Sequence, residues 1–313
     1  MSGNGAKTPV PVSAIVVNFR TAEMTIDAVR SLLAGDLEGI DLEVLIVDNG
    51  SDDGSSDCLQ AAFPNRRHFS TPCNLGYAGG NNVALRCLLA ERPADADPLH
   101  SYVLLLNSDV IVEPDALASC VAYLEAHPDV AVVGPRVTLP DGRLDLACRR
   151  SFPTPSSGFW KLTGLARRFP RSARLARYNL TYLDEFETTE VDAVMGAFML
   201  MRLQAILHAG ILDEGFFFYG EDLDWSYRIK AHGWKVVYHP ATRVHHLKGA
   251  TSRRNSSRMI VEFYRAMWLF YRKHYAERRV LLIEWAVLAG IIARGLLALG
   301  VNALRPADRK RVS

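Results

Sequence analysis

Short apolar segments alternate with amphipathic segments along the first 130 residues. The apolar segments are rich in β-branched residues, which is typical of buried strands, whereas the amphipathic segments have helical spacing. The predicted elements, in chain order, are a strand at residues 12–19, a helix at 21–33, a strand at 42–47, a helix at 55–62, a strand near 68–70, a helix after Gly80 and a strand at 102–106. This alternation predicts βαβ units, and therefore an α/β fold with a mostly parallel sheet covered by helices on both faces.

Polar residues directly follow two of the predicted strands. Ligands bind open α/β sheets outside the carboxyl ends of the strands, so these positions are candidates for chemistry. Asp48, in the segment 48–54, could accept a hydrogen bond from the imide of a pyrimidine base, although its neighbours are also common in turns. Asn107 and Asp109 place two oxygen-bearing side chains on one face of a strand, which suits a divalent cation that also holds a diphosphate. A helix cap is the alternative for Asp109.

An aromatic run and three carboxylates occupy residues 216–228. Glu221, Asp222 and Asp224 open a predicted helix, where the helix dipole favours negative charge. Asp224 and Arg228 form an i,i+4 pair that could be purely structural. The aromatic run predicts a dry pocket in which a carboxylate acts as a base.

Two adjacent histidines, His245 and His246, follow this region. Such a pair is usually structural. Paired with Asp109, however, an imidazole could complete a cation site.

Composition excludes several classes of protein. The chain has 313 residues, of which 49% are hydrophobic and 22% charged, which argues against a disordered or multi-pass membrane protein. A net charge of +2 argues against nucleic acid as the main partner. The five cysteines form no C-x-x-C motif, which predicts buried thiols in a reducing compartment. Residues 1–11 lack the apolar core of a signal peptide, so we expect the body of the protein to remain in the cytoplasm.

The C-terminal region contains one long apolar segment, residues 280–301, interrupted by Glu284 and Arg294. These two charges, with Asn302 and Arg305, fall within an arc of about 80° on a helix. One polar stripe, flanked by basic residues at 278–279 and 309–311, predicts a helix that lies in the membrane interface with its charges on the water side. A single membrane span and a buried core helix are the alternatives.

The middle of the chain, residues 143–190, is rich in arginine and aromatic residues. It is either a solvated insertion or a surface for anionic phosphates or lipid head groups.

The ordered set of motifs resembles the inverting family 2 glycosyltransferases of the GT-A fold. The motifs are VSAIVVNF, VDNGSDDGS, NLGYAGGNN, LLNSD, GEDLDWSYR and HLKGAT, and together they cover about residues 12–252. The third and fifth motifs, the latter with the preceding FFY, are most similar to the bacterial rhamnosyltransferase branch.

The resemblance implies a role for each motif residue. Asp48 would hold the nucleotide base, Asp222 would be the general base, and Asp109 with His246 would bind Mg²⁺ or Mn²⁺. His246 is preferred to His245 because it alone completes the motif with Gly249 and Thr251. The family's D-x-D is here Asn107-Ser108-Asp109, with one strong carboxylate instead of two. Glu221 and Asp224 complete the catalytic group, with Glu221 holding a sugar and Asp224 bracing its helix together with Arg228; the further candidates for nucleotide-sugar binding are Asn18, Asn74, Gly76, Asn82, Asn107 and Arg228.

The function implied by the resemblance is transfer of L-rhamnose from dTDP-rhamnose to a polyprenyl-diphosphate-linked saccharide, at the cytoplasmic face of the membrane, in cell-envelope polysaccharide synthesis. UDP-galactofuranose or UDP-N-acetylglucosamine is the alternative donor. A non-catalytic sugar-nucleotide-binding membrane scaffold is the alternative class. The expected organisation is a flexible segment 1–11, a glycosyltransferase domain 12–255 with a nucleotide half (12–130) and an acceptor half (131–255), and a helical membrane-associated segment 256–313.

Overall fold

The computed structural model describes residues 8–93, 95–247, 256–275 and 281–305. Its strands are β1 Val10–Asn18, β2 Ile40–Asp48, β3 Arg67–Ser70, β4 Tyr102–Asn107, β5 Val110–Val112, β6 Val130–Thr138, β7 Arg149–Arg150, β8 Thr189–Val191, β9 Ala193–Val194, β10 Phe198–Arg202 and β11 Lys235–His246. Its helices are α1 Ala22–Leu33, α2 Ser55–Ala62, α3 Gly76–Glu91, α4 Ala116–Ala126, α5 Pro155–Leu162, α6 Leu165–Arg168, α7 Leu203–Ala209, α8 Glu221–Ala231, α9 Ser256–Tyr275 and α10 Leu281–Leu304, with a 3₁₀ turn at Arg177–Asn179. The predictions for residues 1–7, Gly249, Thr251 and the basic residues 278–279 and 309–311 lie outside the described residues.

The main sheet has the strand order β3-β2-β1-β4-β10-β6-β11-β5, and β8 also pairs with β11. The α/β fold is confirmed, and β3, β2, β1 and β4 are parallel as predicted. The other half is mixed: β10 runs antiparallel to β4 and β6, and β5 and β8 run antiparallel to β11. The reason is that Ala197 lies beside the end of β4, where its carbonyl accepts a hydrogen bond from the Asn107 N–H (2.9 Å). Strand β10, the neighbour of β4 in the sheet, therefore starts where β4 ends and runs in the opposite direction.

Helix α3 begins at Gly76, five residues before the predicted start after Gly80. Its glycines are needed because the helix packs closely on β1. A Cβ atom on Gly80 would lie 2.8 Å from Cγ1 of Val17. Glycine lowers intrinsic helix propensity, and here the tertiary contact outweighs that cost.

All five cysteines are free thiols. Cys120 and Cys148 are buried as predicted, and Cys87 is partly buried. Cys58 and Cys73 are exposed, so the expectation of buried thiols is wrong for these two. Cys58 lies on the exposed side of α2, and Cys73 lies in the loop just after β3.

The C-terminal helices α9 and α10 pack against each other in antiparallel orientation. Arg272 pairs with Glu284 (3.2 Å), and the Asn302 amide donates to Ser257 (3.3 Å). The polar stripe of α10 therefore faces α9, and the expectation that it faces water is wrong, because α9 supplies partners for these groups. The opposite face of α10 is apolar and exposed. Only 6% of the apolar 18-residue stretch of this helix is buried, so α10 is not a core helix.

Helix α9 attaches this hairpin to the body of the protein. Ala266 and Phe270 of α9 form a second hydrophobic cluster with Phe216 and Leu223, and Tyr219 packs on Phe263 with ring centroids 5.5 Å apart. The aromatic run at residues 216–219, expected to wall a pocket, thus mainly anchors α9.

Candidate active site

The carboxyl ends of three neighbouring parallel strands meet at one edge of the sheet. The register pairs Asn18 at the end of β1 with Asp48 at the end of β2, and Val17 with Asn107 at the end of β4. Three residues chosen from the sequence thus come together at the edge where such sheets bind ligands.

Asp48 is held in place by a buried hydrogen-bond network. The Asn18 amide donates to Asp48 Oδ1 (2.7 Å) and to Ser51 Oγ (3.0 Å), and the Ser51 hydroxyl also donates to Asp48. Thr25 donates to Asn18 Oδ1 (2.9 Å). Asn18 is completely buried, and its amide orients the Asp48 carboxylate.

The loop that leads into α3 lies beside this edge of the sheet, against the residue that follows β2. Asn49 donates to the Gly76 carbonyl (2.9 Å) and accepts from the Leu75 N–H (3.0 Å), while Asn74 accepts from the Gly76 N–H (2.8 Å). Gly76 has φ +77°, and a Cβ atom there would lie 2.2 Å from the Phe217 carbonyl oxygen. Only glycine fits this approach. Asn74 and Gly76 therefore shape the wall of the cleft.

Two predicted donor-binding residues lie apart from this edge. The buried Asn82 amide donates to the Leu212 carbonyl (2.9 Å) and to Glu214 (2.8 Å). Arg228 donates to Asp224 (2.9 Å) and to the Ile211 carbonyl (2.9 Å). Both side chains hold the connection between α7 and α8, because its backbone carbonyls need buried donors.

Asp109 and His246 come together as the sequence analysis predicted. Strand β5 pairs with β11 so that Val110 lies opposite His246, and the Leu247 N–H donates to the Asp109 carbonyl (2.8 Å). His246 Nε2 lies 3.2 Å from Asp109 Oδ1, and Nδ1 lies 3.3 Å from Asp145 Oδ2. Asp145, which the sequence analysis missed, thus orients the imidazole from the other side.

These side chains fit a divalent cation. Burial lowers the pKa of His246, but the hydrogen bonds with Asp109 and Asp145 raise it by more, to about 9, so a bound cation would have to displace a proton from the imidazole. Among the described residues no group of three or more His, Cys, Asp or Glu side chains is placed to hold a metal ion. Asn107 Oδ1 is buried without a hydrogen-bond partner among the described residues, which leaves an oxygen free to bind at this edge. A carboxylate that orients the far nitrogen of a histidine ligand is a common feature of metal sites.

Asp222 lies at the first turn of α8 and is buried beside a guanidinium. Its Oδ2 accepts from Arg150 Nη2 (2.6 Å) and from the Gly196 N–H (3.2 Å), and its Oδ1 accepts from the Leu223 N–H (2.8 Å). An ionised carboxylate accepts about four hydrogen bonds, so one acceptor position remains after these three. Arg150 is also buried, and its charge balances Asp222.

Glu221, the neighbour of Asp222, has a different environment. Burial and the charge of Asp222 raise its pKa to about 8, and its Oε2 has no hydrogen-bond partner among the described residues. Glu221 is therefore protonated at neutral pH and can donate a hydrogen bond. The two adjacent carboxylates therefore have different surroundings, an arginine ion pair for Asp222 and an unpartnered oxygen for Glu221, which indicates a division of roles.

Tyr77 connects the cation side of the cleft with the base side. Its hydroxyl donates to the Gly196 carbonyl (2.7 Å). Burial raises the pKa of Tyr77 well above its usual value, and the charges of Glu221, Asp222 and Asp109 raise it further. The Tyr77 hydroxyl and the Asp222 carboxylate therefore both bind the backbone of one residue, Gly196.

Asp224 points away from Asp222 and is completely buried among cations. It pairs with Arg228 (2.9 Å), Lys273 (2.8 Å) and His274 (2.7 Å). Arg228 belongs to α8, whereas Lys273 and His274 belong to α9. Asp224 thus ties α8 to α9.

The sequence analysis missed Asn49, Ser51, Tyr77, Asp145 and Arg150 as site residues. Tyr77 and Asn49 belong to quoted motifs, so the motifs could have indicated them. Arg150 contacts Asp222 across 72 positions, and Asp145 contacts His246 across 101. No spacing rule in a single sequence indicates such pairs.

The amino-acid sequence matches a protein family model and several known proteins. The family model described as "Glycosyltransferase like family 2" matches residues 9–264. The N-acetylglucosaminyl-diphospho-decaprenol L-rhamnosyltransferase of Mycobacterium tuberculosis is 26% identical over 86% of this chain and 87% of that protein. The rhamnosyltransferase WbbL of Escherichia coli K12 is 28% identical over 55% of this chain and 60% of that protein.

Solved structures share the fold. The mannosyltransferase PcManGT from Pyrobaculum calidifontis, in complex with GDP-mannose and Mn²⁺, matches 95% of this chain and 77% of that chain, with a TM-score of 0.53 and 18% identity. GalNAc-T7 with UDP, GalNAc and Mn²⁺ matches 85% of this chain and 50% of that chain, with a TM-score of 0.55 and 14% identity. At this identity the likeness concerns the GT-A fold alone.

Proposed function

The chain belongs to the family 2 glycosyltransferases, and we propose that it transfers L-rhamnose from dTDP-rhamnose to a polyprenyl-diphosphate-linked saccharide with inversion at the anomeric carbon. The observation that carries this proposal is that residues 196–197 link the two candidate groups. The Gly196 N–H donates to Asp222 (3.2 Å), and the Ala197 carbonyl accepts from the N–H of Asn107 (2.9 Å), two residues before the Asp109 that pairs with His246. The similarity to rhamnosyltransferases supports the choice of donor and acceptor.

The donor would bind along the edge formed by β1, β2 and β4. Asp48 would accept a hydrogen bond from the imide of the thymine base, and Asn18 with Ser51 keeps its carboxylate in place. Asp109 and His246 would hold Mg²⁺ or Mn²⁺, which neutralises the charge of the departing diphosphate. Residues 12–130 would form the nucleotide half and residues 131–255 the acceptor half.

Asp222 would act as the general base in a single displacement. Its free acceptor position would receive the proton of the acceptor hydroxyl as the oxygen attacks the anomeric carbon. The bond from that carbon to the diphosphate breaks, and the diphosphate leaves with its electron pair. Protonated Glu221 would donate a hydrogen bond to a sugar hydroxyl and so orient it.

The acceptor would come from the cytoplasmic face of the membrane, in cell-envelope polysaccharide synthesis. The exposed apolar face of α10 supports attachment there. Lipid-linked acceptors present their diphosphate at the bilayer surface, so an enzyme attached to that surface meets them directly.

The test is a donor panel assayed with a polyprenyl-diphosphate-linked N-acetylglucosamine acceptor in the presence of Mg²⁺ or Mn²⁺. Mass spectrometry should detect addition of one deoxyhexose from dTDP-rhamnose, and chelation should abolish it. A product from UDP-galactofuranose or UDP-N-acetylglucosamine alone would replace the proposed donor. Donor binding without transfer to any acceptor would instead support a scaffold.

A further inference from the structure

The segment from residue 146 to residue 183 contains eight basic residues and no acidic residue. Since the whole chain carries +2, the rest of the chain carries a net charge of −6. The basic charge is therefore concentrated in one segment, which holds α5, α6 and the 3₁₀ turn and begins beside the base at Arg150. We call residues 146–183 the basic segment.

Most of these cations have no carboxylate partner among the described residues, although Lys161 lies over the Tyr178 ring (4.4 Å) and Arg174 over the Trp160 ring (5.9 Å). Arg149 and Arg150 are buried, but the other six are exposed and make no ion pair with a carboxylate among the described residues: Lys161, Arg167, Arg168, Arg171, Arg174 and Arg177. A folded protein usually mixes both signs of charge on its surface, because like charges repel. An exposed stretch of chain in which every charge is positive points to an anionic partner.

Apolar side chains are exposed among these cations. Phe159 is 53% and Phe169 47% exposed, and Leu162 is also exposed. Aromatic and aliphatic groups interspersed with cations are typical of surfaces that enter the boundary between lipid head groups and acyl chains.

The basic segment adjoins the helical hairpin. Phe152 packs on Phe270 of α9, with ring centroids 6.2 Å apart. Burial raises the pKa of Tyr275, at the end of α9, to about 12, and the charge of nearby Arg177 opposes this increase. Helix α10 returns along α9 from this same end, where Leu281 and Leu282 are exposed.

We infer that the basic segment is a second membrane contact that binds anionic phospholipid head groups, while α10 supplies apolar insertion. One weak anchor gives only marginal attachment, and an apolar anchor combined with basic residues gives stable attachment. The inference extends the proposed membrane attachment of the enzyme. Its consequence is that the base at Asp222 is held close to the lipid surface, because Arg150 lies at one end of the segment.

The test measures binding of the purified full-length chain to vesicles without donor or acceptor, so it does not depend on turnover. One set of vesicles contains phosphatidylcholine alone, and the other contains equal parts of phosphatidylcholine and phosphatidylglycerol. The test variant carries Arg167→Gln, Arg168→Gln, Arg171→Gln and Arg174→Gln. The control removes the same charge elsewhere through Arg30→Gln, Arg66→Gln, Arg86→Gln and Lys235→Gln.

Phosphatidylglycerol should strengthen wild-type binding at least about tenfold in low salt, since each basic residue near an anionic surface contributes about fivefold. The test variant should lose this increase and keep its binding to phosphatidylcholine, whereas the control should keep both. The matching arginine-to-lysine variant should bind like wild type. An unchanged increase in the test variant, an equal loss in the control, or tighter binding to an RNA homopolymer than to phosphatidylglycerol vesicles would overturn the inference.

Discussion

Asp222 and Glu221 are adjacent in the chain, yet only Asp222 has a charged partner. Arg150 and the Gly196 N–H stabilise Asp222, whereas Glu221 Oε2 lacks any partner among the described residues. A proton acceptor must be ionised at working pH, and a hydrogen-bond donor must be protonated. The two roles therefore follow from the surroundings of each residue.

Replacement of Asp222 by asparagine should reduce turnover by about 10²–10⁴-fold, because the side chain keeps its shape and loses the proton acceptor. Donor affinity, measured by calorimetry, should change little. Glu221→Gln is the matched control and should retain much more activity, since glutamine still donates a hydrogen bond. Near-normal turnover of Asp222→Asn would exclude the assigned base.

Glu221 should also make stability depend on pH. In the unfolded chain its pKa is near 4.5, and in the folded protein it is about 8. Between these values the folded state binds the extra proton, so the free energy of unfolding falls as pH rises from about 5 to 8. Urea titrations should show a fall that is smaller in Glu221→Gln by at least about 1 kcal/mol. Identical pH profiles would contradict the raised pKa.

At the scale of elements, α8 is fixed by ionic contacts with α9. Asp224 is 0% exposed and joins Arg228 of α8 to Lys273 and His274 of α9. Removal of one partner from a buried cluster of charges leaves the others uncompensated.

Asp224→Asn should therefore lower the free energy of unfolding by about 3 kcal/mol, measured in urea. Asp129→Asn, which removes the partner of Lys235 in an exposed pair, is the control and should cost less than about 1 kcal/mol. Equal effects would show that the Asp224 cluster contributes no more than a surface pair.

The end of β11 and the turn after β6, which contains Asp145, together orient His246. Asp145→Asn should weaken Mn²⁺ binding, measured by calorimetry with a nucleoside diphosphate present, by about 10–100-fold. Asp141→Asn, in the same turn but exposed, should leave the affinity for Mn²⁺ unchanged. Unchanged affinity of the Asp145 variant would mean that His246 is not a ligand oriented by this carboxylate.

At the scale of the whole molecule, α10 leaves a long apolar face uncovered. Leu282 is 80% and Trp285 66% exposed, and Leu296 is similarly exposed. Serine at these three positions should release the protein from the membrane fraction without loss of folding, because the side chains make few internal contacts. Turnover should fall on a long-chain lipid acceptor and stay unchanged on a short soluble one.

The matched control is Phe186→Ser with Leu207→Ser, which removes exposed apolar groups elsewhere. It should stay with the membrane. If the α10 variant also remains bound, the basic segment is the dominant anchor.

The sequence by itself determined which segments of the first 130 residues form strands and helices. It also determined the edge of the sheet at which the candidate site lies. Local periodicity specifies a strand or helix from neighbouring residues, and parallel βαβ units bring strand ends to one edge. Asp48, Asn107 and Asp109 could therefore be placed without coordinates.

Only the tertiary structure decided that β10 runs antiparallel to β4 and that Arg150 and Asp145 contact Asp222 and His246. It also decided which way the polar stripe of α10 faces. Each depends on contacts between residues far apart in the chain, and a single sequence contains no local signal for them. Glu284 and Asn302 have the spacing of a water-facing stripe, but α9 offers Arg272 and Ser257 on that side. Polar groups take whichever partner the fold brings near, so the apolar face of the same helix is the one left exposed.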